Sequence, residues 1–185
     1  MERFDLQVAT VLVLASGRGE RFVASGGQGH KLQADLGGMT VLARTLAAVL
    51  ASGLPWHLED AAHPGMGDSI AAAVRATRDA AGWLVLPADL PLIQAQTLRQ
   101  LATMRVAEEV VVPVFEGQRG HPVRFAPVCG AALAALQGPQ GAAAVINGFR
   151  SLRCPVTDRG CVTDIDTLAD LEQARALLRS GVLRP

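Results

Sequence analysis

Compact apolar runs rich in β-branched residues alternate along the chain with longer stretches in which alanine, leucine and arginine recur at helical spacing. That alternation predicts strands buried on both faces and joined by helices, an α/β fold around a mostly parallel sheet. Residues 8–15 read as the first strand, closed by a glycine-rich turn over 16–19. Residues 40–52 read as a helix whose stripe is Val41, Leu42, Leu46, Val49 and Leu50, stopped by Gly53 and Pro55. A helix is expected over 68–81, a buried strand over 83–87, a helix over 97–104, and a strand over 109–115 running into the turn at Glu116 and Gly117. Arg124 and Phe125 open a fourth strand. Short helices over 130–136 and 142–149 follow, and then a C-terminal helix over 167–180 opening on Asp166 or Thr167. No repeat or linker breaks the pattern, so residues 1–185 are expected to form one domain.

Composition narrows the choice of partner. Half of the residues are hydrophobic and 18% are charged, the balance of a globular protein. Lysine plus arginine and aspartate plus glutamate both number 17, so no overall field steers the chain to nucleic acid or to an anionic membrane. A small-molecule partner is expected. The run at 8–15 is too short to span a bilayer and no signal-like region precedes it, which predicts a soluble, cytoplasmic protein. Cys129, Cys154 and Cys161 fit no zinc spacing and read as structural thiols.

Candidate chemistry begins directly after the first strand, where Ala15, Ser16, Gly17, Arg18 and Gly19 are followed by Glu20, Arg21 and Phe22. Glycines there let backbone N–H groups face a phosphate, and Arg18, Arg21 and Lys31 supply cations for a triphosphate. A structural turn is the competing reading. Phe22 stands where a dinucleotide-binding fingerprint needs its third glycine, and no Walker-type loop occurs, so neither of those sites is supported. Asp89, just past the strand at 83–87, is placed to hold Mg²⁺ or to cap a turn. Asp164 and Asp166, at alternate positions before the last helix, offer a second carboxylate or a helix cap.

Taken in order, these pieces resemble the molybdenum cofactor cytidylyltransferase-like nucleotidyltransferases, the MobA/MocA-like family. The resemblance rests on the loop at 14–22, Lys31-Leu32, the segment Gly65-Met66-Gly67-Asp68-Ser69, the stretch 88–92 around Asp89, Gly117 with Gly120-His121-Pro122-Val123 and Phe125, and residues 164–167. It implies a three-layer Rossmann-like α/β/α fold of the nucleotide-diphospho-sugar transferase type. It also implies transfer of a nucleoside monophosphate, CMP from CTP before GMP from GTP, to a phosphorylated acceptor such as molybdopterin with release of pyrophosphate. On matching positions, Ala15, Ser16, Gly17 and Gly19 would bind the triphosphate while Arg18 and Lys31 stabilise its charge. Asp89 would hold Mg²⁺, with Asp166 or else Asp164 as the second carboxylate. Gly65, Met66 and Ser69 would lie near the base or ribose, and Arg119, Gly120 and His121 would shape the acceptor side. For His121, contact with a phosphorylated or pterin-like acceptor stands beside a role in holding the turn. A molybdoenzyme is the expected recipient of the product.

Two departures from the family pattern are visible. Ser16 stands in place of a second alanine, and Gly19 in place of a frequent serine, in the loop that selects the nucleotide. Only 35 positions separate Lys31 from Met66, so one βα unit is expected to be shortened between residues 53 and 65, or missing. A non-catalytic nucleotide-binding module and, more remotely, a dinucleotide-dependent oxidoreductase are the other classes of function.

Overall fold

A computed structural model describes residues 8–180. Thr10–Leu14 forms β1, five residues buried along their whole length. Alternation divides them between two cores. Val11 and Val13 face a core shared with helix α2 (Val41–Ser52), α4 (Ala95–Thr103) and α7 (Leu168–Arg179). Leu12 and Leu14 face a second core, shared with α3 (Met66–Ala76), α5 (Gly130–Ala134) and α6 (Ala143–Gly148). Strand β3 (Trp83–Pro87) divides in the same way, Leu84 and Leu86 against Trp83 and Val85. A strand buried on both faces has this period-2 alternation, and it produces the three layers that the resemblance implies.

Strands β1, β2 (Trp56–Glu59) and β3 are parallel. Beyond β3 lie β6 (Val123–Phe125), β4 (Val110–Phe115) and β5 (Gln118–Arg119), and β7 (Ser151–Pro155) runs parallel to β4 along its other edge. Both β5 and β6 are antiparallel to β4, so they read as one returning strand broken at Gly120, His121 and Pro122. The unit expected to be shortened or missing is present and short. Its strand is the four-residue β2, paired with β1 from Val11 to Leu14, and α3 follows after a six-residue loop.

Local signals account for the helix ends. Thr40 caps α2 by accepting from the Ala43 amide, and Gly53, with φ of 69°, closes it in the left-handed region where glycine carries no penalty. Thr167 rather than Asp166 caps α7, in a reciprocal capping box with Asp170. Helix α3 starts at Met66, two residues earlier than expected, and ends at Ala76, where Thr77 instead accepts a bond from the Trp83 indole. A five-residue helix, α1 (Glu20–Ala24), follows the glycine loop and buries Phe22. Among the described residues, no helix is long and apolar enough to cross a membrane.

Candidate active site

The loops after β1 and β3 and the carboxyl end of β2 emerge at one end of the sheet, where ligands of open α/β sheets bind. A cavity of about 650 Å³ opens there. Ser16, Gly17, Arg18 and Gly19 form one wall, and Arg119, Gly120 and His121, from the break between β5 and β6, form another. Asp89 follows β3, and Asp166 comes from the loop ahead of α7. Between the two carboxylates sits Lys31, on a single 3₁₀ turn. Its ammonium donates to Asp89 Oδ2 at 2.6 Å and to Asp166 Oδ1 at 2.7 Å, while Arg21 reaches Asp166 Oδ2 at 2.7 Å. The side chains of Lys31, Asp89 and Asp166 are 11%, 16% and 19% exposed, so solvent screens this cluster little. Burial by itself lowers the Lys31 pKa, but the Asp89 charge and the hydrogen bonds of both carboxylates outweigh it and raise the group above its ordinary value. Lys31 is therefore a fixed positive charge.

Three elements anchor the glycine loop. The Ala15 amide donates to the Glu59 carbonyl at the end of β2, at 2.8 Å. Ser16 shares a short hydroxyl–hydroxyl bond with the buried Ser69 of α3, which also donates to the Gly65 carbonyl. His30 Nδ1 accepts from the Leu32 amide, so Nε2 carries the proton and donates to the Gly17 carbonyl at 2.6 Å. A Cβ added at Gly17 would meet nothing within 4 Å, so packing does not demand glycine there and its open side faces the cavity.

On the opposite wall, Gly120 is demanded by packing: a Cβ would lie 2.5 Å from the Cys161 carbonyl oxygen. Backbone bonds from Gly120 to Pro113 and from His121 to Cys161, both 2.8 Å, hold the turn. Burial pushes the His121 imidazole below its ordinary pKa, and Nδ1 is buried without a hydrogen-bond partner among the described residues. Near β2, Glu59 accepts from His63 at 2.9 Å and lies 3.4 Å from His57, and His63 lines the cavity.

Among the described residues, no group of three or more histidine, cysteine or acidic side chains is arranged to hold a metal. The two carboxylates suit a different kind of ion. Mg²⁺ takes one or two protein carboxylates and fills its shell with phosphate oxygens and water, and Asp89 Oδ1 is a buried oxygen without a partner among the described residues, beside Lys31 and Asp166.

A family model for the MobA-like NTP transferase domain matches residues 48–154, more than half of the chain. The chain belongs to this family. The model spans Gly65, Asp89 and His121, whereas the glycine loop, Lys31 and Asp166 lie outside the match; the fold brings both sets to one cavity. No curated protein is similar enough in sequence to match. Rv0371c from Mycobacterium tuberculosis H37Rv is 21% identical with a TM-score of 0.74, over 92% of this chain and 98% of that one. Its homolog from Mycobacterium sp. strain JC1 is 25% identical with a TM-score of 0.75, over 93% and 97%. Molybdopterin-guanine dinucleotide biosynthesis protein A from Archaeoglobus fulgidus is 18% identical with a TM-score of 0.68, over 92% and 98%. Rv0371c has also been solved in complex with manganese.

Within this MobA-like domain most of the residues singled out from sequence line the one cavity, but two do not. Ala15 has its amide committed to β2, and Ser69 lies behind Ser16, so both act on the loop from outside the cavity. Gly65 lines the cavity and is also fixed by packing, since a Cβ would lie 2.3 Å from the Gly138 carbonyl oxygen. Met66 is 37% exposed at the rim. Arg18 points outward, 73% exposed and 3.6 Å from Glu20. Sequence reasoning missed His30 and the Glu59–His63 pair. An acid at the carboxyl end of a strand is a usable signal, but at four residues β2 was too brief to mark that end.

Proposed function

We propose that this chain transfers a nucleoside monophosphate from a nucleoside triphosphate to a phosphorylated small molecule and releases pyrophosphate. CTP is the favoured donor and GTP the alternative; molybdopterin or its molybdenum-loaded form is the favoured acceptor. The observation that carries this reading is the Lys31 ammonium held between Asp89 and Asp166 in the cavity beside the glycine loop. Membership of the MobA-like family supports nucleotidyl transfer, the Archaeoglobus neighbour supports a molybdopterin acceptor, and the manganese complex of Rv0371c supports a divalent cation, here assigned as Mg²⁺.

In this reading the backbone N–H groups of Ser16, Gly17 and Gly19 face the triphosphate and Arg18 adds charge at the mouth. Gly65 and Met66 border the base or ribose, with Ser69 positioning Ser16. Asp89 and Asp166 hold Mg²⁺, which when bound neutralises phosphate charge and helps to align the reacting groups. Lys31 exchanges its carboxylates for the triphosphate and offsets the charge that grows on the leaving pyrophosphate. An acceptor phosphate is already anionic near neutral pH and needs no strong base. One of its oxygens attacks the α-phosphorus, the bond from that phosphorus to the α,β-bridging oxygen breaks, and pyrophosphate departs with the electron pair. Arg119, Gly120 and the neutral His121 border the acceptor. The reaction is assigned to the cytoplasm, with a molybdoenzyme receiving the product.

Pyrophosphate release, measured with Mg²⁺ and each of CTP, GTP, ATP and UTP, with and without molybdopterin, tests the proposal. Release selective for one nucleotide and dependent on the acceptor is expected. Thermal stabilisation by nucleotide without release would replace the transferase with a non-catalytic nucleotide-binding module. Asp89→Ala is expected to abolish metal-dependent turnover while leaving the far-ultraviolet circular dichroism unchanged, and full activity in that variant would refute the metal assignment.

A further inference from the structure

A second cavity, of about 390 Å³, lies at the opposite end of the sheet, where β1, β3 and β4 begin. It is bounded by Val8, the end of α4 with the loop behind it, and Arg124. Among the described residues, Arg105 and Arg124 are its charged lining residues and no acidic residue lines it. Arg124 sits at the middle of β6, where its neighbours Val123 and Phe125 face the core of α3 and α5. The side chain of Arg124 therefore faces the other core. Its cross-strand partners there are Leu84 and Val111, both 0% exposed. An arginine stands where the alternation of the sheet asks for an aliphatic residue.

That guanidinium lacks a protein partner among the described residues: Nε and Nη1 are both buried and unbonded. Glu109, the residue before β4, commits its carboxylate to Arg150 at 2.6 Å. Burial lowers the Arg124 pKa from its ordinary value, yet a guanidinium stays protonated in proteins. Arg124 is half-buried, and two of its guanidinium nitrogens are closed off without a partner; such groups call for a water or an ion. A planar guanidinium fork matches the paired oxygens of a carboxylate or phosphate.

We infer that this cavity is a binding site for a small oxyanion, a carboxylate or a phosphate group, held by the Arg124 guanidinium with Arg105 at its rim. It is remote from the catalytic cavity and shares none of its lining residues.

The Nε–Hε resonance of Arg124, observed by ¹H–¹⁵N NMR in the full chain and assigned by its loss in Arg124→Leu, reads occupancy directly. Titration with inorganic phosphate and, separately, succinate is expected to shift this resonance saturably, and the stronger of the two identifies the group. Chloride at matched ionic strength is expected to leave it in place. In calorimetry, Arg124→Gln is expected to lose one class of sites for the stronger anion, or to bind it about tenfold more weakly there, while weak binding at the glycine loop persists. A resonance that does not move, or that moves equally with chloride, would show that water alone serves the guanidinium and would overturn the inference. Binding seen only after Glu2→Gln and Asp5→Asn would assign Arg124 to the chain's own carboxylates and overturn it equally.

Discussion

Without the Lys31 ammonium, Asp89 and Asp166 would face each other as like charges in a poorly screened cavity. In the proposed function a divalent cation would relieve that repulsion, so Lys31 and the metal would compete for the same two carboxylates. Lys31→Met is therefore expected to bind Mn²⁺ in the absence of nucleotide about tenfold more tightly than the unmodified chain, read from the free-ion signal in electron paramagnetic resonance. The same variant is expected to lose about 10²- to 10³-fold in turnover, because the charge on the leaving pyrophosphate is no longer offset. Tighter metal binding with slower turnover separates competition from simple loss of the site; unchanged or weaker Mn²⁺ binding would refute it. At this scale the identities of Lys31, Asp89 and Asp166 were legible in the sequence, but their pairing was not. The partners of Lys31 lie 58 and 135 positions away, and no local pattern reports a contact of that span. His30 is hidden for a related reason, since its bond to the Gly17 carbonyl crosses a loop that has no period.

Elements with a strong apolar period were legible, and those without one were not. Strands β1, β3 and β4 announce themselves through buried β-branched runs, whereas β7 offers only Leu152 and Cys154 between polar neighbours and ends on proline, as an edge strand can. The four residues of β2 end on a buried acid, Glu59, that is 9% exposed. Burial raises its pKa, but hydrogen bonds from His63 and His57 outweigh that and lower it from its ordinary value of 4.5. The folded chain thus keeps this carboxylate ionised to lower pH than the unfolded chain does. Its contribution to stability is fully present above pH 4.5 and is lost as the pH falls through the lower folded value. Glu59→Gln is expected to cost about 1 to 2 kcal/mol at neutral pH, with the gap to the unmodified chain closing below pH 4.5. Urea midpoints across pH measure it, and a gap that widens on acidification would refute the assignment. The break between β5 and β6 makes a second demand. Gly120→Ala places a methyl group 2.5 Å from the Cys161 carbonyl oxygen, so a loss of about 1 to 3 kcal/mol and a raised KM for the acceptor are expected.

At the scale of the whole molecule, the three-layer order was legible and the sheet's changes of direction were not. The returning strand is interrupted by Gly120, His121 and Pro122; this interruption leaves only β6 legible, as the strand expected at Arg124 and Phe125, and brings Arg119, Gly120 and His121 to the cavity. The cavity draws on the ends of β1, β2 and β3, the β5–β6 break and the loop before α7, segments that meet only in the native fold. A ligand that bridges them binds the native state and not the unfolded chain, so it raises stability by mass action. With CTP and Mg²⁺ at about a hundred times the dissociation constant, the gain is about 2.7 kcal/mol, or about 5 to 11 °C in Tm for a chain of this size. The metal contribution should be separable. Asp166→Asn removes one carboxylate charge from the site while Thr167 still caps α7, so the variant is expected to fold, to keep the shift given by CTP alone and to lose most of the increment added by Mg²⁺. Thermal unfolding with CTP, Mg²⁺ and both together resolves these terms. An undiminished Mg²⁺ increment in Asp166→Asn would move the second ligand to Asp164, which lines the same cavity, whereas the absence of any increment in the unmodified chain would remove the metal from the site altogether.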